Sequence, residues 1–144
     1  MKLLRLFPLE LGRLLRSRLT WLVMLLTVLG PVVGLYLYQS AVSTMNSLYL
    51  ANPAIAGGIA GGILFGLLAI LELDRACRSR VDVLVDAVVS PLTAALTRLS
   101  ALLTTAVLTT TLTMLVWLPI SAGLIGAVFD MVDYVLAYLL FMGL

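Results

Sequence analysis

The chain has 144 residues, of which 62% are hydrophobic and only 11% are charged. Soluble domains average about 45–50% apolar and about 25% charged residues, so this composition excludes an ordinary soluble domain. Runs of about 18 or more apolar residues predict membrane-spanning helices, and the chain contains several. There is no histidine, and the single cysteine, Cys77, excludes a disulfide within one chain. Histidine-based catalysis and histidine-bound metals are therefore excluded.

The nine basic residues fall in two clusters, one before the first long apolar run and one between the second and third runs. Lysine and arginine are retained on the cytoplasmic side of membranes, so both clusters are predicted to be cytoplasmic, with two spans between them. We expect a multi-pass protein of the plasma (bacterial inner) membrane with a cytoplasmic N-terminus. The first cluster comprises Lys2, Arg5, Arg13, Arg16 and Arg18, and the second comprises Arg75, Arg78, Arg80 and Arg98.

Residues 1–18 predict an amphipathic helix. Apolar side chains repeat along one helical face and arginines lie largely opposite, a pattern typical of helices that lie flat in the membrane interface. The regular helix is expected to begin near Pro8, because proline is tolerated best in a first turn. The alternative is a charged flank of the first span. The apolar face comprises Leu4, Phe7, Leu11, Leu14 and Leu15.

Two uncharged segments, 19–39 and 53–73, predict the first two spans, because each is about the length that crosses 30 Å of hydrocarbon. The second carries five glycines, most of them four positions apart, which predicts a smooth face for close helix packing. The alternative is the ordinary enrichment of glycine in membrane helices. Ile63 and Leu64 stand where a phosphate-binding loop needs Lys and Ser or Thr, so no ATP site is expected. The packing residues are Gly57, Gly58, Gly61, Gly62 and Gly66.

Residues 74–98 are predicted to form a cytoplasmic connector. Its charges cannot lie in lipid, and Asp74, Arg78 and Asp82 are spaced four apart, as in a solvated helix with paired charges. Asp82 and Asp86 could instead be a metal-binding carboxylate pair, but the neighbouring arginines favour solvation. Ser90 and Pro91 resemble the cap and first residue of a new helix.

Residues 99–129 predict a third span that is longer than one crossing needs, which Pro119 is expected to kink or divide. Six threonines lie between Thr104 and Thr113, and their hydroxyls can bond to their own helix or to a neighbour. A polar wall of a translocation path is an alternative use for them. Asp130 and Asp133 are expected on the outer side of the membrane.

Residues 134–144 are apolar again, but 11 helical residues rise only about 16 Å, roughly half of the hydrocarbon thickness. The segment is therefore predicted to be the start of a truncated fourth span, in a fragment of a longer subunit. The alternative is a complete small protein that ends in an interfacial helix.

The order of these parts resembles the N-terminal part of ABC-2-type transporter permeases. Glu10-Leu11, followed by Arg13 and Arg16, is similar to the family's elbow helix, and the segment 72–80 to its acidic-then-basic exit from the second span. Val89-Ser90-Pro91 and the residues to 98 resemble the entry to the third span. The chain departs at Ser79-Arg80-Val81, where a Gly-Thr pair is usual, and in the proline that follows the serine rather than preceding it.

This resemblance implies an all-α polytopic transmembrane bundle with an N-terminal elbow helix. It also implies an exporter that works by alternating access, with a separate ATP-binding cassette ATPase subunit and a second permease copy or half. The connector would be a coupling helix that contacts the ATPase. The candidate contact residues are Arg75, Arg78, Arg80, Asp82 and Asp86.

Two other classes of function compete with the permease. A membrane scaffold or assembly subunit could pack through the glycine face and transport nothing. A membrane enzyme is disfavoured because no carboxylates cluster inside a span. The predicted partners are the lipid bilayer, the ATPase subunit and a second permease copy or half. We predict no catalytic residue, cofactor, metal or nucleic-acid partner. No residue of the sequence indicates which substrate is transported.

Overall fold

The computed structural model describes residues 2–38, 46–78, 91–125 and 129–142, and within them it is all-helical, as predicted. Five helices occupy the described residues. They are α1 (Lys2–Arg16), α2 (Arg18–Tyr38), α3 (Asn46–Arg78), α4 (Pro91–Ile125) and α5 (Met131–Met142).

Three of these helices are long and apolar enough to cross a membrane, which confirms the prediction of a helical membrane bundle at that level. The apolar stretches are Arg18–Tyr36 in α2, Ala51–Arg75 in α3 and Leu92–Leu124 in α4. α5 is apolar as well, but it has only 12 residues. Large hydrophobic side chains are exposed along all three long helices, as expected for surfaces that face lipid.

Neither Pro8 nor Pro119 marks the start or end of a helix. α1 begins at Lys2 and continues through Pro8, so the predicted start near Pro8 is wrong. Pro8 is exposed, where solvent can satisfy the carbonyl that the proline leaves without a donor. α4 begins at Pro91, as predicted, but runs unbroken through Pro119 to Ile125, so the third apolar block is not divided.

α2 and α3 form the most extensive helix pair of the described structure. Two glycines of α2 make the close approach possible. A Cβ atom on Gly34 would lie 2.6 Å from the carbonyl oxygen of Asn52, and one on Gly30 would lie 3.1 Å from Cα of Gly57. Because glycine has no Cβ atom, the backbones of α2 and α3 can pack directly against each other, as they commonly do at small residues in membrane helices.

α4 buries a stripe of residues spaced four apart, and most of them are threonines. All six threonines between Thr104 and Thr113 donate their hydroxyls to a carbonyl four residues earlier in α4. The sequence left open whether these hydroxyls bond to their own helix or to a neighbouring one, and in the structure all six bond within α4. Among the hydrogen bonds that these threonines make with described residues, only that of Thr110 also reaches another helix, at 3.5 Å from the carbonyl oxygen of Met142 in α5. The buried stripe comprises Thr97, Ala101, Thr105, Thr109, Thr113, Trp117 and Ser121.

An aromatic core joins α5 to the bundle in the half away from α1. Asp130 caps α5, since its carboxylate accepts a hydrogen bond from the backbone N–H of Val132 at 2.8 Å. Tyr134 and Tyr138 are fully buried with Trp117, and the Tyr134 hydroxyl donates to the carbonyl oxygen of Met114 at 2.7 Å. From this core α5 runs along α3, its main neighbour.

Candidate functional site

Five charged residues from three helices meet where α1 lies beside the C-terminal end of α3 and the N-terminal part of α4. We call them the charged cluster. Arg13 Nη1 lies 2.8 Å from Glu72 Oε2, and Arg13 Nε donates to Glu10 Oε2 at 2.8 Å. Arg98 Nε lies 4.0 Å from Glu10 Oε1, and Arg75 Nη1 lies 3.8 Å from Glu72 Oε1. The cluster therefore links α1 to both α3 and α4.

The spacing of the charged residues along α1 and α3 places them in pairs before the helices meet. Glu10 and Arg13 are three residues apart on α1, and Glu72 and Arg75 are three apart on α3, a spacing that places each pair on one helical face. Glu72 stands at the end of the apolar run of α3, where the chain can first carry charge. α4 packs against both α1 and α3, and this arrangement brings the two pairs together.

Glu72 is the most buried member of the cluster, with a side chain only 8% exposed. Burying a carboxylate to that extent is costly unless a cation lies beside it. Arg13 supplies it at 2.8 Å, although no N–H group of the described residues points directly at Glu72 Oε2. The contact is thus an ion pair rather than an aligned hydrogen bond.

Arg13 is held as a permanent cation. Partial burial lowers the pKa of its guanidinium, but the hydrogen bond and charge of Glu10, together with the charge of Glu72, outweigh burial and raise that pKa above the ordinary arginine value. The site therefore carries a fixed positive charge between two carboxylates at any physiological pH.

A cavity of about 340 Å³ opens between α1, α3 and α4 against this cluster; we call it the α1 cavity. Most of its wall is apolar and is supplied by leucines and alanines of all three helices. The charged groups that line it are Glu10, Arg13, Glu72 and Arg98.

The predicted ATPase contacts are described in part. Arg75 lies in the last turn of α3 with 68% of its side chain exposed, and Arg78 is the last residue of that helix. Arg80, Asp82 and Asp86 lie outside the described residues, as does most of the predicted connector. Its geometry beyond residue 78 is therefore not part of the site described above.

The five glycines predicted to form one packing face are divided by the structure. A Cβ on Gly57 would contact Pro31 and Met142, and one on Gly61 would contact Thr27. Gly58 lies so close to α5 that a Cβ there would overlap the carbonyl oxygen of Phe141. Gly62 and Gly66, in contrast, have nothing within 4 Å among the described residues.

Sequence reasoning missed three features of this arrangement. Gly30 and Gly34 have the same spacing of four as the α3 glycines, so that signal was present in the sequence. The pairing of Arg13 with Glu72 joins positions 59 apart in the chain, and no local pattern indicates it. The same holds for Arg98 and Glu10.

Together, the three apolar helices and the charges gathered at one end define the chain as a helical membrane protein. Comparison with protein-family models, curated proteins and solved structures finds no match for it. The likeness to ABC-2-type permeases is therefore carried by the order and motifs of the sequence alone.

Proposed function

We propose that this chain is the N-terminal part of the membrane-spanning subunit of an ABC exporter, driven by a separate ATPase subunit and paired with a second permease copy or half. The observation that carries the proposal is the linkage of α1 to α3 through Arg13 and Glu72, next to the segment predicted to contact the ATPase. In this assignment α1 is the amphipathic elbow helix and the charged cluster lies at the cytoplasmic face of the plasma membrane.

Such a linkage suits a subunit that receives force from a partner. The segment 79–90 connects the end of α3 to the start of α4, and each of these two helices is joined to α1 by an ion pair. A displacement of that segment would therefore act on α1, α3 and α4 together. The exposed charge of Arg75 supports the same role, because complementary charges steer and orient protein partners.

Charge supports the proposed orientation. All nine basic residues and five of the seven acidic residues belong to α1, the start of α2, or the chain from the end of α3 to the start of α4. The remaining two acids, Asp130 and Asp133, lie at the opposite turn before α5. Basic residues stay in the cytoplasm, so α1 is assigned to that side.

The decisive experiment is affinity purification of the natural full-length protein from mild detergent. We expect a P-loop ATPase to co-purify, and the charge reversals Arg78→Glu and Asp82→Arg to release it. Arg18→Glu is the matched control, because Arg18 is exposed at the same end but lies outside the connector. Recovery of the ATPase with all three variants would overturn the assignment of the coupling segment, and its absence from the unmodified protein would overturn the exporter.

One observation favours the scaffold as a second candidate. The open surface at Gly62 and Gly66 is a small-residue face that a helix of another membrane protein could approach closely. If the purified complex contains another integral membrane protein but no ATPase, and Gly62→Leu disrupts it, the scaffold is the better assignment.

A further inference from the structure

The α1 cavity has the size and composition of a small-molecule site. Its volume of about 340 Å³ falls within the range of known ligand pockets, about 300–1,000 Å³. Like those pockets, it combines a mostly apolar wall with a few polar groups that can fix an occupant. Of the charged residues that line the cavity, Glu72 is the most buried.

Glu72 has a capacity for hydrogen bonds that the described residues do not use. A carboxylate can accept about four hydrogen bonds through its two oxygens, and a buried one is costly to leave without donors. Oε2 is enclosed against Arg13 but accepts no aligned hydrogen bond from the described residues. Oε1 lies 3.8 Å from Arg75 Nη1, which is beyond hydrogen-bonding distance. Because Oε2 is enclosed, Oε1 is the oxygen that an occupant of the cavity can reach.

The charges of the cluster and of the chain from 72 to 98 balance in the sequence, so they favour an uncharged occupant. An anion or a cation would disturb that balance next to a largely apolar wall, where an unpaired charge is costly. A neutral hydroxyl group could instead donate to Glu72 without adding charge. The five arginines are Arg13, Arg75, Arg78, Arg80 and Arg98, and the five carboxylates are Glu10, Glu72, Asp74, Asp82 and Asp86.

The apolar side of the cavity is continuous with the lipid-facing surface. Leu73, Leu96 and Leu99 line it and are each about half exposed. An acyl chain could therefore enter sideways from the bilayer, and a membrane lipid would use both the apolar wall and Glu72. A small water-soluble alcohol would leave the apolar wall unused.

We propose that the α1 cavity binds one molecule of a neutral lipid with a free hydroxyl group, the chemistry of a diacylglycerol. The hydroxyl donates to Glu72 Oε1, and an acyl chain lies along Leu96 and Leu99. Hydrogen bonds to carboxylates are stronger than those between neutral groups, so this single bond can select the lipid. The proposal does not depend on the exporter assignment, because it needs neither an ATPase nor transport.

Native mass spectrometry of the full-length chain in detergent tests the proposal with two probes, dioctanoylglycerol and the methyl ether of its hydroxyl group. The two lipids share their acyl chains, but only the alcohol can donate a hydrogen bond. We expect the unmodified chain to bind one molecule of the alcohol about tenfold more tightly than the ether, because the ether loses a hydrogen bond to a carboxylate. Glu72→Met should weaken binding of the alcohol about tenfold and leave that of the ether unchanged, so that the variant no longer distinguishes the two.

Two control variants separate the site from its surroundings. Asp74→Met removes an exposed carboxylate two residues further along α3, and Asp74 is not among the described residues that line the cavity, so the preference for the alcohol should persist. Ala69→Leu should reduce binding of both lipids by filling the cavity from α3 while every charge stays in place. Circular dichroism and gel filtration check folding, and Ala95→Phe fills the cavity from α4 if Ala69→Leu fails to fold.

Three results would overturn the proposal. Equal binding of the alcohol and the ether by the unmodified chain would exclude the hydrogen bond, and this comparison needs no variant. A preference for the alcohol that survives Glu72→Met would place the acceptor elsewhere. Tighter binding of a phosphatidylglycerol with the same acyl chains would show that the cavity selects a charged head instead.

Discussion

The indole N–H of Trp117 in α4 donates to the main-chain carbonyl oxygen of Val28 in α2 at 2.8 Å. Val28 stands three residues before Pro31, and the carbonyl that Pro31 leaves without its helical donor is that of the neighbouring Thr27. Neighbouring helices commonly satisfy backbone groups near a membrane proline. This bond joins two helices that are otherwise in limited contact, at the buried aromatic core.

Replacing Trp117 by Phe should lower the stability of the bundle. The variant loses the bond to Val28 and leaves a gap in the core, and interhelical bonds in membranes contribute about 0.6 kcal/mol on average and up to about 1.7. With the gap included, we expect a loss of about 1–3 kcal/mol in unfolding from mixed micelles. Trp21→Phe is the control: its indole also donates, to Leu15, but the side chain is 58% exposed. A loss as large for Trp21→Phe would contradict this account.

Alanine at Gly58 and alanine at Gly62 should have opposite effects, although the two sites lie one turn apart on α3. The added Cβ at Gly58 meets backbone of α5 at Phe141, so α5 must shift, whereas the one at Gly62 meets no atom of the described residues within 4 Å. Gly62→Ala should be neutral or stabilise by up to about 1 kcal/mol, because alanine is the better helix former. Gly58→Ala should lower the melting temperature and expose α5 to proteolysis. Equal melting temperatures would show that α5 does not pack as described.

Arg13 and Glu72 should be energetically coupled. Removing either partner should destabilise by about 1–3 kcal/mol, between the values for exposed and buried pairs, because Glu72 is buried while Arg13 is 43% exposed. A double-mutant cycle with Arg13→Gln and Glu72→Gln, read by thermal unfolding in detergent, measures the coupling. Additive losses would mean that the short distance contributes no interaction energy.

Thr20→Val and Thr105→Val should have different effects on the stability of the bundle. Both side chains are fully buried, but the Thr20 hydroxyl has no hydrogen-bond partner among the described residues, whereas Thr105 donates to the carbonyl oxygen of Ala101. A buried hydroxyl without a partner costs about 1–3 kcal/mol, so Thr20→Val should be stabilising. Thr105→Val should be neutral or mildly destabilising. Stabilisation by both substitutions to the same extent would argue against this difference in bonding.

The helices of this chain were predictable because their signals are local. Long uncharged runs located α2 and α3, and the Ser90-Pro91 pair located the start of α4. The continuation of α1 through Pro8 was not predicted, and at Pro119 the sequence left a kink and a division of the helix both open. Proline weakens a helix by a fixed local cost, and tertiary packing decides whether the helix survives it.

The site was predictable only where its residues are neighbours in sequence. Glu10 with Arg13, and Glu72 with Arg75, follow from helical spacing, but their meeting depends on how α1 packs against α3 and α4. The five glycines of α3 are divided for a related reason. Spacing predicts which glycines share a face of α3, whereas the crossing of α2 and α5 decides that Gly58 is covered and Gly62 is open.

The threonines of α4 bear on how this helix could move. The hydroxyls of Thr105, Thr109 and Thr113 bond within α4, so in the part of the chain that the structure describes none of these three ties α4 to a neighbouring helix. Trp117, in contrast, is bonded to α2, and the Tyr134 hydroxyl holds Met114. α4 is thus held by hydrogen bonds to α2 and α5 near Trp117, far along the helix from Arg98. If a partner tilted α4 at its charged end, the displacement would be largest near Arg98 and smallest at the aromatic core.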